Sequence, residues 1–422
     1  MTETEAAGLL PVELFVILLA IATGVALLAR RVPLPYSVAL VLAGLGIAFV
    51  FPGNTVGVTP ELILAVLLPG LVFEAAYKTD LSELRRTFGI VAILAAPGVL
   101  ITAFVVALVV STATGMDLGL AFVLGAMISA TDPVAVIALF KRIGAPRRLS
   151  TLVEAESLLN DGTGIVLFAI ALEALVRPVT LVDGVISFLL TIAISGLIGL
   201  IAGVGARKIL NTIEDPVISV ALTVVAAYGT YLFADRFQES GIIATVVVGL
   251  MLGNEGDRLP QRTKEALDVV WEFVAFALTA LTFLLVGFAI TPALLVQAVP
   301  VIIAGYLAIT LARAAVVYGV IGGGQRLLPR PASIPVGYLH VMFWAGLRGA
   351  VAVALALALP PQMAQRELLT GAVFGIVLVT LLVQGTTAGF VVRRSGVAAA
   401  GAAEAADTGD AGPATGEGPA AG

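Results

Sequence analysis

Apolar stretches long enough to cross a bilayer follow one another along almost the whole chain, separated by short loops in which Gly, Pro and charged residues gather. A helical crossing of about 30 Å of hydrocarbon needs about 20 apolar residues, and lipid excludes open sheet edges and loops because their backbone polar groups find no partner there. Cutting the 422 residues at these loops leaves segments 9–29, 33–51, 60–77, 88–110, 118–140, 149–175, 180–206, 215–236, 240–253, 266–290, 293–320, 334–358 and 368–391. The expected fold class is an all-α polytopic membrane protein with about 13 transmembrane helices. Only 12% of the residues are charged, against about 25% in soluble domains, which argues against a soluble enzyme and a disordered chain.

The basic residues test this count, because cytoplasmic loops collect Lys and Arg. Eighteen of the 23 fall in alternate loops, from Arg30 and Arg31 to Arg393 and Arg394, while Arg177, Arg236 and Arg366 fall on the other side and Arg313 and Arg348 lie within segments. The alternation predicts an outer N-terminus and a cytoplasmic C-terminus, and it holds only if the short segment 240–253 counts as a crossing. The cytoplasmic membrane of the cell is the expected location. No Lys or Arg precedes the first segment, so a cleaved signal peptide is not expected. Residues 395–422 are mostly Ala, Gly, Thr, Pro and acids, the composition of a disordered cytoplasmic tail. That tail holds Glu404, Asp407, Asp410 and Glu417, so most of the formal charge of -5 is no case for a basic partner or nucleic acid.

With no Cys and the single His340, thiol catalysis, thiolate metal sites and histidine clusters are excluded, and no cofactor is expected. No loop has domain length, so chemistry has to take place inside the membrane, and an enzyme is not expected. An odd number of crossings fits two inverted six-helix repeats joined by a linking helix. Ala130-Thr131-Asp132-Pro133-Val134-Ala135-Val136 in the fifth segment and Leu347-Arg348-Gly349-Ala350-Val351-Ala352-Val353 in the twelfth both set a helix breaker beside an ionisable residue. Broken helices in membranes serve as ion sites through such arrangements.

A charge near the bilayer centre is costly, by about 2.5 kcal/mol or more, so Glu74, Asp132, Glu154, Glu156, Asp161, Arg313 and Arg348 are the candidate functional residues. In the sixth segment Ser157 and Asp161 share one face and Glu156 and Asn160 the next, giving two adjacent polar stripes. Pro133 frees backbone carbonyls next to Thr131. Carboxylate, hydroxyl, amide and carbonyl oxygens together suit an alkali cation, and a buried Asp161 also suits a proton. Asp132 reads either as a ligand or as a cap for broken-helix N–H groups. Glu156 and Arg348 read as a buried ion pair, Glu154 as a funnel charge, and Arg313 as the partner of an acid or a lining of the aqueous side. Glu74 lies one turn from Lys78 and reads as locally paired. His340 reads as a satisfied hydrogen bonder, and Trp271, Trp344, Tyr338 and Tyr77 as interfacial anchors.

Three motifs in order, Ser129-Ala130-Thr131-Asp132-Pro133-Val134-Ala135-Val136, Glu156-Ser157-Leu158-Leu159-Asn160-Asp161 and Gly346-Leu347-Arg348-Gly349-Ala350, resemble the sodium/proton antiporters of the NhaP and NHE type, a family of monovalent cation/proton exchangers. Phe73-Glu74-Ala75 and the stretch from Phe283 to Gly287 fit as well. The resemblance implies a transmembrane antiporter domain over 1–394, a homodimer, and inverted repeats whose unwound helices five and twelve cross. Interface helices fall mainly in 9–77 and 215–290, and core helices mainly in 88–175 and 293–391. Asp161 is then the carboxylate that carries Na⁺ or H⁺, with Thr131, Ser157 and Glu74 around the ion and Asn160 in the Asn-Asp pair associated with electroneutral exchange. Glu156 and Arg348 correspond to a structural ion pair, and Asp132 to the helix-five crossing. Relatives often carry Asn-Ser where this chain has Thr279-Ala280, a departure that bears on interface packing or ion access. The tail does not match the long regulatory region of animal exchangers.

The function expected from these residues is Na⁺/H⁺ exchange by alternating access in one site, with lipid, monovalent cations and protons as the partners. K⁺ or mixed Na⁺, K⁺ and Li⁺ exchange is the nearest alternative, because oxygen-lined sites differ in size by amounts the sequence does not encode. A cation channel and an intramembrane aspartyl enzyme built on Asp132 and Asp161 are the remote ones.

Overall fold

The structure is a computed structural model that describes residues 3–29, 35–50, 59–254, 259–290, 292–324 and 334–397. Among these residues every regular element is a helix. In chain order they are α1 Glu3–Ala29, α2 Tyr36–Val50, α3 Leu68–Lys78, α4 Leu81–Ala95, α5 Pro97–Thr114, α6 Leu118–Met127, α7 Val134–Ile143, α8 Arg147–Val176 and α9 Leu181–Leu210. There follow α10 Pro216–Arg236, α11 Gly241–Gly253, α12 Gln261–Ala289, α13 Pro292–Ala314, α14 Val336–Trp344, α15 Ala350–Leu357, α16 Arg366–Thr380 and α17 Thr386–Arg394. Wider π-helical turns lead into α3 at Leu62–Leu67, extend α13 through Ala315–Gly322 and join α16 to α17 at Leu381–Gly385.

These helices make thirteen passages, because α4 runs on into α5 past Pro97, α16 continues into α17, and α6/α7 and α14/α15 are each one passage broken in the middle. Seven stretches, 81–114, 147–176, 181–210, 216–236, 261–289, 292–322 and 366–394, are each long and apolar enough to cross a membrane unaided. The protein is a multi-pass membrane protein. The helix starting at Leu81 opens seven residues before the apolar run does. Asp80 stands at its N-cap and accepts from the Ser82 and Glu83 N–H groups, which starts the helix ahead of the hydrophobic segment. Gly115 and Gly144 close α5 and α7 with φ of 73° and 63°, left-handed positions where a side chain is strained. The expected tail beyond Val397 lies outside the described residues.

Two packing groups emerge. In one, α2 runs against α12, α11 packs between α3, α9 and α10, and α10 touches α12. In the other, α5 packs on α6 and α13, α13 on α16, and α8 on α4 and α6. Lipid offers helices no hydrophobic reason to associate, so close backbone approach supplies the attraction. A Cβ on Gly44 would overlap the Leu284 backbone and one on Gly287 the Val41 backbone, which keeps α2 and α12 in direct contact. Trp271 departs from the anchoring role expected of it. It is fully buried, its ring centroid 4.5 Å from that of Phe73, and its indole N–H donates to Thr223 Oγ1 at 3.0 Å.

Candidate functional site

The two broken passages meet at their unwound stretches, 128–133 and 345–349. The Asp132 N–H donates to the Leu347 carbonyl at 2.8 Å, pairing the two stretches directly. Four helix ends converge here, and each leaves backbone groups without intrahelical partners and a partial charge of matching sign. The sequence supplies ionised side chains to answer them. The Asp132 carboxylate accepts from the Val134 N–H at 3.1 Å and from the Ala350 N–H, so one side chain caps the starts of both α7 and α15. Gly349 has to be glycine for this, because a Cβ there would occupy the place of the Asp132 carboxylate.

At the opposite ends the charges are positive. The Arg348 guanidinium, 2% exposed, donates from one nitrogen to the Ser129 and Ala130 carbonyls, both at 3.1 Å, beyond the end of α6. Its backbone N–H donates to Thr380 Oγ1 at 3.1 Å. Arg313 reaches from α13 to the Met342 carbonyl in the last turn of α14, with Nε at 3.1 Å and one terminal nitrogen at 2.6 Å. Arg313 also forms a two-pronged ion pair with Glu156, one contact being 2.9 Å between Nη2 and Oε2. The expected Glu156–Arg348 pair is therefore replaced by Glu156–Arg313, while Arg348 spends its charge on carbonyls. The reason is geometric: the carbonyl oxygens beyond the α6 end lack intrahelical N–H donors, and Arg348 lies in the unwound stretch beside them.

Helix α8 presents its two polar stripes to different neighbours. Asn160 Oδ1 accepts from the Thr131 N–H at 3.0 Å and Asn160 Nδ2 donates to Thr131 Oγ1 at 2.7 Å, so the amide is spent on holding the break. Asn160 and Glu156 stand together with Arg313 and Arg348 on the side away from the main cavity. Ser157, one turn before Asp161, donates its hydroxyl to the Thr131 carbonyl.

Ser157 and Asp161 open instead onto a cavity of about 150 Å³ that lies between the two packing groups. Its walls bring together Glu74 from α3, Thr131 and Asp132 from the break, Glu154, Ser157 and Asp161 from α8, Thr279 and Thr282 from α12, and Gly349 and Ala350 at the second break. Of the expected ion ligands, Asp161, Thr131, Ser157, Glu74 and Asp132 line this space and Asn160 does not. Among the described residues Asp161 makes no ion pair, whereas Glu74 pairs with Lys78 at 2.6 Å. The volume suits a small cation with part of its hydration shell and is below that of pockets for drug-sized ligands. His340 is occupied elsewhere, its Nδ1 2.9 Å from the Tyr318 hydroxyl.

Glu154, read from the sequence as a surface or funnel charge, lines the cavity, and Thr282, which also lines it, was not singled out. The available signal for Thr282 was that Thr279 and Thr282 are the sole polar side chains from Phe273 to Ala289.

Residues 16–394 match the family model described as "Sodium/hydrogen exchanger, transmembrane". The low-affinity Na⁺/H⁺ antiporter NhaS1 of Synechocystis is 37% identical over 396 residues, covering 90% of this chain and 74% of the relative. The Na⁺/H⁺ antiporter ApNhaP of Aphanothece halophytica is 37% identical over 393 residues, covering 91% and 75%. Among solved structures, the sodium proton antiporter MjNhaP1 of Methanocaldococcus jannaschii superposes with a TM-score of 0.77 at 18% identity, over 92% of this chain and 98% of that one. At that identity the superposition speaks for the fold.

Proposed function

The chain belongs to the sodium/hydrogen exchanger family, and from that premise we propose that it is a secondary active antiporter exchanging Na⁺ for H⁺ at Asp161. The observation that carries this reading is a carboxylate on the wall of a small, oxygen-lined cavity, left among the described residues without an ion-pair partner of its own. A charge in that place calls for a mobile cation, and a proton and Na⁺ each satisfy it. Moving an empty, ionised carboxylate across the barrier meets the full penalty of burying a charge, while either occupied form is neutral. Only the occupied site then crosses, which makes exchange obligatory. One positive charge replaces another at one carboxylate, so the cycle is electroneutral.

Thr131, Ser157 and Glu74 are the further oxygen donors around the ion. Asp132, Arg348 and the Glu156–Arg313 pair hold the crossing that shapes the site. Close packing within each helix group supports a two-part mechanism in which the helices of 88–175 and 293–391 move as a core against those of 9–77 and 215–290. The apolar outer face of α10, with Val217, Ile218, Val225 and Leu232 exposed, suits a homodimer contact. The basic loops support a cell-membrane orientation with the C-terminus in the cytoplasm.

Purified protein in liposomes loaded with a pH-sensitive dye, challenged with Na⁺, K⁺ or Li⁺, tests the function. Proton efflux that follows the cation, survives a voltage clamp and disappears in Asp161→Asn supports electroneutral antiport and identifies the cation. Persistent current, or no proton movement with any cation from folded protein, overturns it.

A further inference from the structure

From Phe273 to Ala289, helix α12 is Ala, Leu, Val, Phe and Gly except for Thr279 and Thr282. Both threonines line the cavity that holds Asp161. With Ala275 and Phe283 they follow the spacing of a single helical stripe, so the two hydroxyl-bearing residues of this stretch share the one face that meets the cavity.

Thr282 is 1% exposed, and its hydroxyl has no hydrogen-bond partner. A threonine inside a helix ordinarily satisfies its hydroxyl by donating to a carbonyl three or four residues back. Thr102, Thr223 and Thr310 do so here, at 2.8, 2.8 and 2.7 Å. Thr282 does not, although a buried hydroxyl without a partner destabilises the fold and valine would fill the same volume. The methyl and hydroxyl of a threonine exchange places by one χ1 step.

On the opposite wall the oxygens of the break are already partly engaged, each keeping one lone pair for an ion. The Thr131 carbonyl already accepts from Ser157, and Thr131 Oγ1 accepts from Asn160 at 2.7 Å. A hard cation seeks about six oxygen ligands, and a proton on a carboxylate needs none of them.

We propose that Thr282, with Thr279 beside it, is the α12 contribution to cation coordination: the hydroxyls replace waters of a small alkali cation bound at Asp161 and set its selectivity. The inference rests on the antiport reading and deepens it. It places one half of the ion's shell on each helix group, so that full coordination forms only when the groups close on the ion. It also makes these hydroxyls act on the cation half of the cycle alone.

The experiment compares wild type, Thr282→Val, Thr282→Ser and Thr279→Val in dye-loaded liposomes with Na⁺, Li⁺ and K⁺, and repeats the series as thermal unfolding in detergent with and without Na⁺. Thr282→Val is expected to raise the KM for Na⁺ about five- to tenfold, narrow the preference for Na⁺ over K⁺, and leave the proton dependence at saturating Na⁺ in place. Its unfolding temperature without Na⁺ should equal or exceed that of wild type, while stabilisation by Na⁺ shrinks. Thr282→Ser should keep the wild-type KM, and Thr279→Val should show a weaker version of the Val effect. Unchanged KM and selectivity in Thr282→Val, or a Ser variant that behaves like Val, overturns the proposal while the antiport reading stands. If Thr282→Val does not fold, a Thr279→Val variant with unaltered KM and selectivity overturns it equally. Wild type that moves no protons in response to any cation removes both.

Discussion

Asn160 and Thr131 exchange two hydrogen bonds, 3.0 Å from the Thr131 N–H to Oδ1 and 2.7 Å from Nδ2 to Oγ1, and so tie helix α8 to the unwound stretch between α6 and α7. The adjacent Asp161 faces the cavity and Asn160 does not. Neighbouring residues of one Asn-Asp pair thus have separable duties, one holding the break and one facing the ion.

Asn160→Ala is expected to lower stability by about 1–3 kcal/mol, because it leaves the Thr131 N–H buried without its acceptor. Exchange should slow through loss of the folded break, with the KM for Na⁺ shifting less than the maximal rate. Asp161→Asn should do the reverse, keeping the unfolding temperature and abolishing exchange. Thermal unfolding and liposome transport on the same preparations decide; equal losses of stability in both variants would contradict this division.

A double-mutant cycle tests the revised ion pair. Removing one partner from the buried pair, as in Glu156→Gln or Arg313→Met, is expected to destabilise by about 3–5 kcal/mol, because the other charge is left uncompensated. The double variant should recover a large part of that loss. Arg348→Met combined with Glu156→Gln should show much weaker coupling, since Arg348 is committed to the Ser129 and Ala130 carbonyls. Strong Glu156–Arg348 coupling in thermal unfolding would restore the sequence-based pairing.

The thirteen passages were legible because hydrophobic length and alternating basic loops are read directly from residue order, without any knowledge of which helix touches which. Asp161 stood out for the same reason, as a carboxylate inside a segment without lysine. Partner choice was not legible. Glu156 had two arginines inside segments to choose from, Arg313 and Arg348, and the decision depended on which helix end each arginine reaches in three dimensions. Thr282 was hidden because threonine is common in apolar helices, and only the missing back-bond and the neighbouring cavity distinguish it from Thr223. Trp271 was misjudged because its place near a segment end fits an interfacial anchor, whereas its hydrogen bond to Thr223 and its tilted ring contact with Phe73 depend on α3 and α10 lying beside it.

Asp132 caps two helices at once, so its replacement should weaken both. With about 0.5–2 kcal/mol per lost N-cap, Asp132→Ala is expected to destabilise by roughly twice a single cap, and Asp132→Asn by less, because its amide oxygen still accepts one N–H. The readout is hydrogen exchange of the Val134 and Ala350 amides. Both should exchange faster in Asp132→Ala; acceleration of Val134 alone would mean that the α15 contact does not contribute in solution.

Outside the spans, Asp80 offers a pH test with a defined sign. Hydrogen bonding from the Ser82 side chain, followed by the Ser82 and Glu83 N–H groups, holds its carboxyl below the usual carboxylate range despite the opposing effect of partial burial. A carboxyl whose folded value lies below its unfolded one stabilises the fold fully above the unfolded value, and this contribution is lost as pH falls through the folded one. The start of α4 should therefore be firm at neutral pH and fray only under acid conditions, below the range in which an ordinary aspartate titrates. In Asp80→Asn, which keeps an acceptor but cannot ionise, protection of the Ser82 and Glu83 amides should be lower at neutral pH and independent of pH through the acid range. Amide exchange followed from neutral to acid pH in both proteins separates the outcomes: a wild-type helix start whose protection does not change with pH would show that the ionised form of Asp80 adds nothing to the cap.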